Sequence, residues 1–187
     1  MTNQIYFLVG PSGVGKTTVR KHITEKYSNI KFIPSFTTRP PRDNEVDKVD
    51  YFFIPKDEFQ NLINTNGLIE WEEHFGNYYG ISSGFCEEQL QKGYSLIKEI
   101  AVGGYKQILN STNIERSIIK SIFISPDDIN ELAKRIENRG EANIVDRISS
   151  IENELLSASE CHHIVKSKTN NLVALFQDIE TIIDSYR

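Results

Sequence analysis

The segment Gly10-Pro11-Ser12-Gly13-Val14-Gly15-Lys16-Thr17 constrains this chain more than any other stretch. It satisfies G-x-x-x-x-G-K-[ST] at every position. It follows Ile5 to Val9, an unbroken apolar run of the kind that forms a strand buried on both faces of a parallel sheet. It opens Gly15 to Tyr27, where Val19, Ile23 and Tyr27 recur four apart, as on one helix face. A glycine-rich turn between a buried strand and a helix has a physical use. Its backbone N–H groups can wrap a polyphosphate, and the helix adds its positive end. Lys16 can then reach the β and γ phosphates, and the Thr17 hydroxyl can join a Mg²⁺ shell. The candidate nucleotide-holding residues are Gly10, Ser12, Gly13, Val14, Gly15, Lys16, Thr17 and Thr18.

The rest of the chain alternates strand and helix patterns. Strands are expected at Lys31–Ile33, Tyr51–Ile54, Leu68–Phe75, Asn77–Ile81, Ser95–Val102, Ile118–Ile124 and His163–Val165. Helices are expected at Lys56–Thr65, from Ser83 to Gly93, after Ser125-Pro126-Asp127-Asp128, at Ile148–Ser159 and at Leu172–Tyr186. This rhythm predicts an α/β fold with a mostly parallel sheet. Ser35 to Asp50, rich in Thr, Pro, Arg and Asp, reads as a long functional loop, and the stretch from Ser35 to Ser82 breaks the alternation as an insert would.

That insert narrows the chemistry. Ser35-Phe36-Thr37-Thr38-Arg39-Pro40-Pro41-Arg42 is followed by Glu45 and by Asp50-Tyr51. Two arginines in a proline-stiffened loop suit bidentate clamping of a phosphate. A solvated basic loop is the plain alternative.

Taken together, these segments resemble the guanylate kinases. Gly10 to Thr17 resembles their phosphate loop, Ser35 to Arg42 their S-x-T-T-R-x-x-R segment, and Glu45 to Tyr51 their E-V-x-x-x-x-Y. Glu70-Trp71 and Gly76-Asn77-Tyr78-Tyr79-Gly80 resemble the family's E-W and G-N-Y-Y-G. The resemblance is dense from Ile5 to Gly80 and looser beyond. It implies a P-loop kinase fold with a parallel core sheet flanked by helices (1–33, 83–133, 149–187), a mixed β/α monophosphate-binding insert (34–82) and a short lid (134–148). It implies ATP and Mg²⁺ as cofactors and GMP or dGMP as acceptor. Arg39, Arg42, Tyr51 and Tyr79 would hold the acceptor phosphate, Ser35 and Glu70 would read guanine, and Glu45 belongs to the same loop. Lys16, Arg39, Arg135, Arg139 and Arg147 would act on the transferring group, and Thr17 and Glu99 would serve the metal. The guanine assignment is chemically coherent, because one carboxylate can accept from the adjacent N1–H and N2–H₂ of guanine, whereas adenine presents an acceptor at N1.

The chain departs from that pattern at several positions. Glu99 stands where the family has a first Asp and Ala101 where it has a second. Lys98 replaces an apolar residue, Gly103 a Gln, and Ile81 a Ser or Thr that lies beside the nucleotide phosphate. Losing an acceptor beside the base costs on the order of 1–3 kcal/mol. A kinase with altered acceptor specificity, or a guanylate-kinase-like binding module, is therefore kept as an alternative.

Composition sets the remaining expectations. A net charge of −5 is the wrong sign for a non-specific nucleic-acid binder. Two cysteines, Cys86 and Cys161, lack metal-like spacing and fit a reducing compartment. The polar start and the absence of any apolar run of about 18 residues predict a cytoplasmic protein without a membrane span, as monomer or homodimer. His162-His163 lacks companion ligands at metal spacing, and Cys86 reads as an inert helical residue.

Overall fold

The computed structural model describes residues 3–137, 144–168 and 171–187. Strand β1 (Ile5–Val9) is the centre of a five-stranded sheet and is buried along its whole length. It pairs in parallel with β7 (Ser95–Ile100) on one side and β8 (Ile119–Pro126) on the other. β2 (Ile30–Phe32) lies outside β7, and β9 (His163–Ser167) outside β8, both again parallel. The unbroken apolar run of β1 has a direct cause. Tyr6 and Leu8 enter one hydrophobic cluster, and Ile5, Phe7 and Val9 enter the other, because successive side chains alternate across a strand.

The first cluster is closed by α1 (Lys16–Lys26), α5 (Ile129–Glu137), α6 (Ile144–Leu156) and α7 (Leu172–Asp184), through Val19, Ile23, Leu132, Ile136, Ile151, Leu175 and Ile179. The second is closed by α3 (Ser83–Gln91) and α4 (Val102–Asn110), through Cys86, Val102, Tyr105 and Ile108.

Residues between β2 and α3 build a second sheet of β4 (Tyr51–Phe53), β3 (Ser35–Thr37), β6 (Asn77–Ser82) and β5 (Leu68–His74), in that order. β3 and β4 are parallel, and the other pairings are antiparallel. Helix α2 (Lys56–Asn64) covers it by stacking Phe59 on Tyr78, with centroids 5.4 Å apart. In β5 the pairs Leu68↔Ser82 and Glu70↔Ile81 leave Ile69 as an extra, bulged residue. Ile69 and Ile81 join the second core cluster, so the two sheets share one apolar interior.

Three local expectations need correction. Ser35–Thr37, expected within a loop, is a short strand held between β4 and β6. Val102 is not strand but the start of α4, which had no predicted counterpart. Helix α6 starts at Ile144, four residues before the expected Ile148. No helix among the described residues is long and apolar enough to cross a membrane.

Candidate active site

β1 is followed by Gly10, whose φ is +142°, and a Cβ there would sit 2.5 Å from the Ile124 carbonyl oxygen. Only glycine fits that corner. Gly15 (φ +107°) is the N-cap of α1 and supplies no side-chain cap, so the first N–H groups of the helix stay open to a ligand. Lys16 Nζ donates to the carbonyls of Gly10 and Pro11, the latter at 2.8 Å. Burial pushes Lys16 down to about 8, opposed by the Glu154 and Glu99 carboxylates. A cavity of about 530 Å³ runs along residues 12–18 and is walled on its far side by Ser167, Lys168 and Leu172. These last three, from the end of β9 and the start of α7, lie far from the loop in sequence, and nothing local marks them. A glycine cradle, an open helix end and a half-buried ammonium are a donor set that fits a polyphosphate. Thr17 is exposed at the same helix end. Glu99 Oε2 lies 3.2 Å from Arg20 Nε as an ion pair without hydrogen-bond alignment.

A second cluster forms around Arg39. Its Nη2 donates to Glu45 Oε1 at 2.8 Å and its Nη1 to the Pro40 carbonyl at 2.7 Å. The second oxygen of Glu45 accepts from the Arg42 backbone N–H at 2.9 Å. The Arg39 guanidinium beside Glu45 holds that carboxyl below its usual range. The Arg39 guanidinium also lies 5.4 Å from the Tyr51 ring, and Tyr51 meets Tyr79 edge-on at 6.2 Å. Arg39, Glu45, Tyr51 and Tyr79 are thus brought together. Arg42 joins through its backbone, and its side chain is exposed. Glu45 acts on the arginine loop itself, fixing Arg39 and the loop backbone at once.

The third cluster is buried. Glu70 is 7% exposed, and burial pushes its carboxyl up to about 7 against the pull of Lys98. Its Oε2 would lie 3.0 Å from a Cβ on Gly104, whose missing side chain leaves room for the carboxylate beside the first turn of α4. Ser35 is also buried, one position before Phe36, which pairs with Gly80 as Glu70 pairs with Ile81. Lys98 Nζ donates to Ser35 Oγ at 2.7 Å and to the Ile33 carbonyl at 2.9 Å. Its sequence neighbourhood flagged a charge out of place in an apolar run, but not its partner. Ala101 is exposed and is the N-cap of α4, giving no cap hydrogen bond. Ile81, expected beside the nucleotide phosphate, is fully buried among core residues.

Of the three lid arginines, Arg135 falls in α5 and Arg147 in α6, with their side chains outside the described set, and Arg139 lies outside the described residues altogether. His162 Nδ1 accepts from the Ser121 backbone N–H at 3.2 Å, and His163 Nε2 bonds the Tyr186 hydroxyl at 2.7 Å. Burial pushes the Cys86 thiol up to about 12, so it carries no thiolate at neutral pH.

Comparison with known proteins identifies the family. The family model described as guanylate kinase matches residues 2–186. The guanylate kinase of Prochlorococcus marinus (strain NATL2A) is 37% identical over 176 residues, covering 92% of this chain and 91% of that protein. That of Bacillus subtilis (strain 168) is 37% identical over 180 residues, 94% of this chain and 85% of its own. The crystal structure of guanylate kinase from Anaplasma phagocytophilum superposes with a TM-score of 0.73 at 26% identity, over 99% of this chain and 86% of that one. A shikimate kinase from Bacteroides thetaiotaomicron, at TM-score 0.51 and 14% identity over 97% of this chain and 98% of that one, shares the fold alone. With its phosphate loop, arginine cluster and buried carboxylate in that frame, this chain belongs to the guanylate kinase family.

Proposed function

We propose that the three clusters divide between them the family reaction, ATP-dependent phosphorylation of GMP to GDP. The phosphate loop from Gly10 to Thr18, with Lys16, holds the donor. Arg39, Arg42, Tyr51 and Tyr79 hold the acceptor phosphate, with Glu45 orienting Arg39. Ser35 and Glu70 read the base. The observation that carries this assignment is the buried carboxyl of Glu70, which accepts hydrogen bonds through both oxygens when ionised. Guanine has adjacent N1–H and N2–H₂ donors to satisfy it, and an unpaired buried acid is costly against any base that lacks them.

The acceptor needs no general base, because the second pKa of a phosphate monoester is about 6 and its attacking oxygen is already ionised at neutral pH. Catalysis is alignment and charge neutralisation by Lys16, Arg39 and the lid arginines Arg135, Arg139 and Arg147. Thr17 and Glu99 would hold Mg²⁺, which supplies further neutralisation of the phosphates when bound. Residues 34–82 act as the acceptor unit and 134–148 as the lid, and their closure over both nucleotides excludes water and limits wasteful ATP hydrolysis. The acceptor in this reading is GMP or its deoxy analogue dGMP. The reading places the protein in the cytoplasm, as monomer or homodimer, without nucleic-acid partners.

The test is ADP release by the purified chain with GMP, dGMP, IMP, AMP, CMP and UMP, repeated with Lys16→Met. GMP and dGMP should lead the panel, and the lysine variant should lose at least about a hundredfold in kcat. GMP performing no better than AMP would end the guanine assignment.

A further inference from the structure

Arg20 and Glu99 meet on the face of the first sheet that α1 covers. Glu99 stands opposite Leu8 in register, and Leu8 belongs to the cluster that α1 closes. Arg20 lies one helical turn after Lys16, so both side chains leave from the same face of α1. The Phe32 ring of β2 lies against the guanidinium, its centroid 4.2 Å from Cζ. Arg20 Nε is 3.2 Å from Glu99 Oε2. Both atoms are buried, and neither makes a hydrogen bond among the described residues. The contact is therefore one of charge rather than of a guanidinium fork aligned on a carboxylate. Lys16 and Lys98 also lie within electrostatic reach of Glu99. One carboxylate thus serves three cations.

We propose that Arg20 is a positioning residue for metal entry: its charge beside Glu99 turns away a bare divalent cation, so that the metal enters only with the phosphates of the donor. The inference rests on the reading above in which Glu99 serves Mg²⁺, and it adds the group that decides when that carboxylate is open to a metal. The residues fit such an ion, because Glu99 Oε2 is a buried acceptor with no hydrogen bond to lose. Alone, however, the carboxylate offers little. Mg²⁺ gives up its waters reluctantly, and this carboxylate is already shared by three cations. A dication brought to Oε2 would also stand against the guanidinium 3.2 Å from that oxygen, in a place partly shielded from water. A triphosphate reverses the balance. Lys16 turns from the Gly10 and Pro11 carbonyls to the phosphate oxygens, and the phosphates supply the negative charge that the pocket alone lacks. Glu99 then serves the metal as one oxygen ligand among several, and Arg20 keeps its carboxylate in place.

The experiment follows Mn²⁺ binding to the full chain through loss of the free-ion electron spin resonance signal. It is run first without nucleotide and then with adenylyl imidodiphosphate, an ATP analogue that resists hydrolysis. Without nucleotide, the wild type should bind Mn²⁺ no better than Glu99→Gln does. Arg20→Met should bind it at least about tenfold tighter than the wild type, the effect of removing one nearby charge. Arg20→Lys keeps the charge and should match the wild type. Glu99→Gln placed in the Arg20→Met chain should abolish the gain. With the analogue bound, Glu99→Gln should weaken Mn²⁺ binding at least about tenfold. If Arg20→Met gains nothing without nucleotide while Glu99→Gln still weakens the analogue complex, Arg20 is a strut, and the proposal is overturned with the metal reading intact. If Glu99→Gln leaves that complex unchanged, Glu99 does not serve the metal, and the reading falls together with the proposal. A gain in Arg20→Lys equal to that in Arg20→Met would also overturn the proposal, since charge would not be its cause. Should Arg20→Met fail to fold, Arg20→Gln, neutral and still polar beside Glu99, carries the same test.

Discussion

Between Gly10 and Thr18, what the chain offers a ligand comes from one unbroken stretch and mostly from its backbone: glycine φ values, open N–H groups and one lysine. The proposed base site is assembled differently. Ser35, Glu70, Lys98 and Gly104 come from three strands and a helix, and everything they offer is a side chain or the room left by a missing one. Backbone sites depend on conformation, and a new side chain breaks them by geometry. Side-chain sites depend on charge and hydrogen bonding, and they can be retuned one residue at a time.

The variant expected to break this comparison hardest is Gly10→Ala. The positive φ and the contact with the Ile124 carbonyl should cost about 3 kcal/mol or more in denaturant unfolding, together with loss of ATP binding by calorimetry. An alanine variant that melts and binds like the wild type would show that the loop is not conformationally fixed.

Arg39→Met comes next. It should raise KM for GMP roughly a hundredfold while leaving KM for ATP near wild type. Equal effects on both nucleotides would erase the division between the two halves.

Glu70→Gln sharpens the contrast through pH. Burial raises the Glu70 carboxyl from its ordinary value to about 7 in the folded protein. Folding therefore favours the protonated acid, so the stability linked to it is present at low pH and is lost as pH rises through 7. The Gln variant should gain melting temperature over the wild type at pH 8 but not at pH 5. Its KM for GMP at pH 8 should rise about tenfold. Calorimetry of GMP binding across pH 5.5–8.5 should show wild-type affinity weakening below 7 more steeply than that of the variant, which still shares the titration of the phosphate.

The smallest effect is expected from Ala101→Asp. α4 starts without a side-chain cap, and an Asp there supplies one, worth about 1 kcal/mol or a few degrees in a thermal melt. No gain would mean that the α4 N–H groups are already satisfied.

The same contrast explains what could be read from the sequence. The phosphate loop was legible because its motif, strand and helix are contiguous. The parallel core followed from the alternation of patterns. Arg39, Glu45, Tyr51 and Tyr79 were legible as family positions, but the way Glu45 bonds Arg39 and the Arg42 backbone was not. Helix α4 escaped because Gly103-Gly104 reads as a breaker. The structure shows the second of these glycines leaving space for Glu70 and Ile100 within a helix held by Tyr105 and Ile108. β3 escaped because three residues are too few to show periodicity. Lys98 could be seen as anomalous, but its partners Ile33 and Ser35 lie more than sixty positions away.

The bulge at Ile69 has a consequence for how such a chain can change over time. A regular strand turns neighbouring side chains to opposite sides, yet Ile69 and Glu70 are both buried, Ile69 in the core and Glu70 beside Gly104 of α4. Glu70 is thus buried next to a residue of the core, and that burial raises the proton affinity of its carboxylate. Gains and losses of length at the exposed Phe75–Gly76 hairpin tip leave this untouched. Loss of one residue next to Glu70 would remove the register shift while leaving every residue proposed to read the base in the sequence, so this enzyme's specificity is open to change by deletion as well as by substitution.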